Sequence, residues 1–123
     1  MAFRGNIEKL TINNNYYRRV LHTTPTMQLV VMSLKPGEEI GFETHPTTSQ
    51  FIRVEEGCAT AIIDDRRFYL KPDDAIIVPP GAYHNVTNTG DIKLKLYSIY
   101  SPPEHPPEKK QKKQIIKLNY FKH

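Results

Sequence analysis

Between positions 24 and 100, apolar and polar residues alternate in short runs broken by turn-forming residues. From 24 to 34, Met27, Leu29, Val31 and Ser33 fall on one face, and Gln28, Val30, Met32 and Leu34 on the other. This run is apolar on both sides, as expected of a strand sandwiched between two layers. It ends at Lys35-Pro36-Gly37-Glu38, where proline presets φ and glycine supplies the permissive position of a turn. The same reading predicts strands over 39–44, 50–54, 58–63, 67–70, 75–78, 84–88 and 93–100. No stretch in this region holds a 3.6-residue apolar period, and short strands at this spacing predict an all-β sandwich or closed barrel.

The flanks read differently. Residues 1–23 form an N-terminal extension, with a turn at Asn13-Asn14-Asn15 and an additional strand over 16–21. Residues 24–101 are the β body, and 102–123 a proline-rich arm with a lysine-rich tail. Four prolines between 101 and 107 predict an extended arm without sheet donors at those positions. Residues 115–121 (Ile-Ile-Lys-Leu-Asn-Tyr-Phe) are too apolar for a purely solvated tail and are expected to pack on the body or on a second subunit.

The length of 123 residues suits one domain that buries roughly two-thirds of its unfolded surface without a disulfide or structural metal. The apolar runs are far too short to span a bilayer, and the N-terminus lacks the apolar core of a signal peptide. Cys58 is the only cysteine, which excludes an intrachain disulfide and a thiolate zinc cluster and points to a reducing, cytoplasmic setting. Residues 1–103 carry 11 Lys/Arg and 11 Asp/Glu, so the net charge of +4 belongs to the last twenty residues, where six lysines face Glu104 and Glu108. That run reads as a solvated end, with at most weak attraction to phosphates or nucleic acid.

Candidate chemistry concentrates in two places. Glu43 and His45 are two residues apart on a predicted strand and so share a face. Gln50 opens the next strand and returns to that face, and His84 lies on a later strand introduced by Pro79-Pro80-Gly81. If the sheet curls into a barrel, these four side chains converge inside it.

The spacing of these residues resembles the cupin superfamily. Its first motif (Gly, five residues, His-x-His, three or four residues, Glu, six residues, Gly) is matched in spacing by Gly37-x5-Glu43-x-His45-x4-Gln50-x6-Gly57. Its second (Gly, five residues, Pro-x-Gly-x-x-His-x-x-x-Asn) is matched by Asp73-x5-Pro79-x-Gly81-x-x-His84-x-x-x-Asn88, with Asp in place of the first Gly. The resemblance covers about 27–100 and implies a double-stranded β-helix, a jelly-roll barrel, commonly paired as a homodimer.

Position by position, the usual metal set of three His and one Glu becomes Glu43, His45, Gln50 and His84. The carboxylate has moved rather than vanished. Glu43, His45 and His84 supply the ligand types of a two-His-one-carboxylate site, which suits Fe(II), while Mn, Ni, Zn and Co share the same donors. Gln50 would be a neutral oxygen ligand or would orient a bound water. The same groups, paired with hydrogen-bond partners, would instead line a metal-free polar pocket. The resemblance implies a small metal-dependent enzyme, an isomerase or dioxygenase acting on a small molecule such as a sugar or sugar phosphate, or else a non-catalytic binding or sensing module. No general base stands out on the inner face. Pro79-Pro80-Gly81 and Asn88 read as turn-shaping, Cys58 as a small core residue and Arg53 as outward-facing. Ile52, Val54, Ile76, Val78 and Val86 read as barrel lining, Tyr97 and Tyr100 fit either a pocket or an interface, and His105 in the arm is not assigned to the site.

Overall fold

The computed structural model describes residues 1–107 and 109–112. It is a double-stranded β-helix, nearly all β. The helix α1 (Ile7–Ile12) is followed by β1 (Arg18–Thr23), β2 (Gln28–Leu34), β3 (Ser49–Glu56), β4 (Ala59–Ile63), β5 (Arg66–Leu70), β6 (Ala75–Val78), β7 (His84–Asn88), β8 (Leu94–Ser101) and β9 (Lys110–Gln111). One sheet runs β6-β3-β8-β2-β1-β9 and faces a second, β5-β4-β7. The expected strand over 24–34 is a hairpin turn followed by β2: the Thr24 backbone N–H donates to Met27 O (2.8 Å), closing the β1–β2 connection.

Register across the large sheet sorts the interior by polarity. Leu34 pairs with Leu94, Met32 with Leu96 and onward with Val54, and Val30 with Ser98 and onward with Ile52. The last inward row is Gln28, Tyr100 and Gln50. Every residue in these rows is at most 2% exposed. The barrel is therefore filled with aliphatic side chains at one end, where hydrophobic burial holds the two sheets together. At the other end it is lined with hydrogen-bonding groups.

Four expectations need correction. The strand over 39–44 is a broken one: it contacts β7 through two isolated bridges, Glu39 to Thr87 and Glu43 to His84. The interruption falls at Gly41, whose φ of +98° is incompatible with a regular ladder, and whose N–H donates to Asn85 Oδ1 instead (2.8 Å). The N-terminal extension holds a helix as well as a strand. Asn6 caps it by accepting from the Lys9 N–H (3.0 Å), and α1 packs on the outer face of β8, β3 and β2. That packing is part of why Val31, on the face of β2 opposite the core, is fully buried. Cys58 is exposed rather than packed in the core, because it lies in the link between the Gly57 bend and β4. The lysine run is not wholly solvated: 109–112 returns to the large sheet, with Val20 N–H donating to Lys109 O (2.8 Å) and Lys110 Nζ 4.7 Å from the centre of the Tyr16 ring. Lysines on this outermost strand are a common guard against edge-to-edge association. Residues 115–121 lie outside the described residues.

Candidate metal centre

The polar end of the barrel receives side chains from three directions. His84 opens β7, held by reciprocal backbone bonds with Glu43 (Glu43 N to His84 O 2.9 Å, His84 N to Glu43 O 3.0 Å). This pairing places both residues at one level of the barrel. His45 follows two residues after Glu43, its carbonyl accepting from Gly81 N–H (2.8 Å), so the Pro79-Pro80-Gly81 turn fixes the chain on both sides of the site. Gln50 comes from the facing sheet. The expected convergence is present for three of the four residues by direct measure: one donor atom each from Glu43, His45 and His84 lie within 4.8 Å of one another. Gln50 sits beside them through Tyr100, whose hydroxyl accepts from Gln50 Nε2 (3.1 Å) and whose ring lies edge-on to His45 with centroids 6.0 Å apart.

The donor atoms are prepared for a cation. His84 Nδ1 lies 3.0 Å from the Ala82 carbonyl, a contact that requires the proton on Nδ1 and leaves the Nε2 lone pair free. His45 Nδ1 lies 3.3 Å from Glu104 Oε1, and its Nε2 is buried without a hydrogen-bond partner among the described residues. Gln50 gives its Nε2 to Ser98 Oγ (3.2 Å) and Tyr100 Oη, and its Oε1 is buried without a partner among the described residues. Buried polar atoms without partners are costly and rare in proteins. His45 shares its cluster with a carboxylate and a second imidazole, and the cluster's donors are all nitrogen or oxygen types that divalent ions take. The chemistry of the donor set fits a metal.

Two further contributors were not assigned to the site by sequence. The arm folds back over the barrel mouth: buried Gln28 accepts from the N–H groups of Glu104 (3.2 Å) and His105 (2.9 Å) and donates to His105 O (2.7 Å). Glu104 thereby reaches His45, and the His105 ring stands edge-on to Tyr100 with centroids 5.0 Å apart. Burial, helped by the positive charges of Arg18 and Lys109, pushes His105 down to about 3, so its imidazole is neutral near pH 7. The available signal was Gln28, an uncharged polar residue in the otherwise apolar inward row of β2. Burial likewise raises the Tyr100 phenol, which stays protonated. Of the remaining candidates, Ile52, Val54, Val78 and Val86 line the core and Ile76 packs against it. Arg53 faces outward, its Nη2 2.9 Å from Asp73, and Asn88 donates to Leu34 O and Ile92 O at the turns. Tyr97 lies on the outer face beside Phe51, with ring centroids 6.2 Å apart.

Comparison with known proteins agrees with this architecture. The family profile described as Cupin domain matches residues 30–100. Protein L612 of Acanthamoeba polyphaga mimivirus is 46% identical over 106 residues, covering 83% of this chain and 66% of that protein. YrkC of Bacillus subtilis is 45% identical over 110 residues, covering 85% of this chain and 59% of that protein. This chain thus spans less than two-thirds of the length of either relative. The crystal structure of BH2720 from Bacillus halodurans superposes with a TM-score of 0.88 at 42% identity, covering 91% of this chain and 89% of that one.

Proposed function

Since the chain belongs to the cupin family, we propose that its barrel mouth holds a divalent metal through Glu43, His45 and His84, with Gln50 Oε1 as a fourth, neutral oxygen donor, and that the protein acts as an enzyme on a small polar molecule such as a sugar or sugar phosphate. The observation that carries the reading is the cluster of Glu43, His45 and His84, whose three donor atoms meet within 4.8 Å, together with a buried His45 Nε2 that has no partner among the described residues. When bound, the metal would supply Lewis-acid polarisation of a substrate oxygen. The chain's own groups do the rest. Gln50, Ser98 and Tyr100 offer a hydrogen-bonded polar wall to a hydroxylated ligand, and the arm is docked beside it on Gln28. Protein purified without a histidine tag or chelator is expected to carry close to one equivalent of iron, manganese, nickel or zinc by inductively coupled plasma mass spectrometry. A metal-free preparation that also takes up neither Fe(II) nor Zn(II) would overturn the reading in favour of a non-catalytic ligand-binding module.

A homodimer is part of the same proposal. The outer face of the large sheet carries Ile77, Phe51, Ile99 and Leu29 in one continuous register row, and Ile77 is 65% exposed. A contiguous apolar row of this kind is a typical association surface. Sedimentation at micromolar concentration is expected to give a dimer that Ile77→Lys dissociates; a wild-type monomer would exclude it.

A further inference from the structure

A carboxylate beside the candidate ligand His45 comes from the arm outside both cupin motifs. Glu104 Oε1 lies 3.3 Å from His45 Nδ1, while the opposite ring nitrogen, Nε2, is buried without a partner among the described residues. The His45 side chain is 8% exposed and that of Glu104 33%. The carboxylate does not reach this place by chance contact of a loose chain. Gln28, fully buried, grips the backbone of Glu104 and His105 with three hydrogen bonds, and its own amide is steadied by Thr23 Oγ1 (3.0 Å). The backbone is thus fixed where the Glu104 carboxylate can stand beside His45 Nδ1. An unrestrained neutral imidazole favours the proton on Nε2, the wrong nitrogen for ligation by that atom. A carboxylate at Nδ1 draws the proton to that side and frees Nε2. His84 achieves the same through the Ala82 carbonyl. The two histidines are thus preset by different devices, one inside the second motif and one supplied by the arm.

We propose that Glu104 is a positioning residue that holds His45 in its Nδ1–H form for metal ligation, and that Gln28 is the latch that delivers it. The proposal rests on the metal reading above, but its first test does not need metal. Long-range ¹H–¹⁵N spectra of the metal-free protein in alkaline buffer are expected to show His45 protonated at Nδ1. Glu104→Ala shifts it toward the Nε2–H form and leaves His84 unchanged. In chelator competition with Zn(II), Glu104→Ala is expected to weaken binding about tenfold, the lower end of the range for outer-shell partners because the 3.3 Å spacing is long. Gln28→Ala undocks the same carboxylate, so the double variant loses little more than Glu104→Ala alone. Glu104 is partly exposed and its replacement leaves the core intact, so folding does not obscure the result. An unshifted His45 tautomer in Glu104→Ala overturns the positioning role, whatever the affinity. Unchanged Zn(II) affinity with a shifted tautomer overturns its importance for ligation. A wild type that binds no Zn(II) while the tautomer shifts sinks the metal reading and leaves the positioning of His45 standing.

Discussion

Replacing His84 with alanine is expected to lower metal affinity by about 100-fold or more while the barrel stays folded. The loss exceeds the 10–100-fold typical of outer-shell partners because a donor atom itself is removed. The barrel survives because what joins 84 to the rest of the sheet is backbone. Its N–H and C=O bond to Glu43, and β7 remains paired with β4 through Asn88–Ala59, Val86–Ala61 and His84–Ile63. Removing an imidazole that is 2% exposed leaves a cavity costing about 1–3 kcal/mol, well short of global unfolding. His45→Ala is expected to match it, with loss of the Glu104 contact as a further consequence. Metal content by mass spectrometry, read beside a thermal melt, separates the two effects. Wild-type metal occupancy in both folded variants would remove the site from Glu43, His45 and His84.

Gly57→Ala is expected to be the most destabilising of the single-methyl changes at glycine. Gly57 joins β3 to β4 with φ +85°, and a Cβ there would stand 2.7 Å from Lys93 O and 3.0 Å from Leu94 Cα. Both obstacles are backbone at the start of β8, in the middle of the large sheet, and cannot swing aside. Left-handed strain of about 1–2 kcal/mol adds to an overpacking cost of about 1–3 kcal/mol. At roughly 4 °C per kcal/mol for a domain of this size, the melting temperature should fall by about 8–20 °C. Gly81 is the control: its φ is +84° but a Cβ would meet nothing within 4 Å, so Gly81→Ala should cost only the strain. Equal melting temperatures for the two variants would show that the approach to Lys93 does not constrain the turn.

These two predictions rest on residues that the spacing had already marked. Gly57 closes the first motif and His84 sits in the second, and the structure supplies the physical reason for each: a backbone crossing for the glycine, a paired strand end for the histidine. The strands were legible because period-two alternation is written locally, and the inward set Ile52, Val54, Val78 and Val86 followed from it. Their ends were less so. The strand expected from 24 begins at Gln28, since Thr24 to Met27 has its own turn bonding. Gly41 breaks the strand over 39–44 for a reason that depends on what β7 offers opposite it. The six-residue helix α1 was too short to impose a period.

What the sequence by itself determined is an all-β body of short strands and the shared face of Glu43 and His45, because both follow from the order of side chains along individual strands. The barrel, and with it the meeting of His84 with that pair, was implied by the resemblance of the two motifs to the cupins. What only the tertiary structure decided is which atoms are left without partners and what closes over them. Glu104 lies 59 residues after His45, and no local pattern relates the two. They meet because the arm returns across the mouth to a buried glutamine on β2. Likewise the Cys58 thiol is exposed and 109–112 lies in the sheet because of where the neighbouring strands run. Contacts between segments far apart in sequence depend on the closed geometry of the whole barrel, and that geometry exists only once the two sheets have folded against each other.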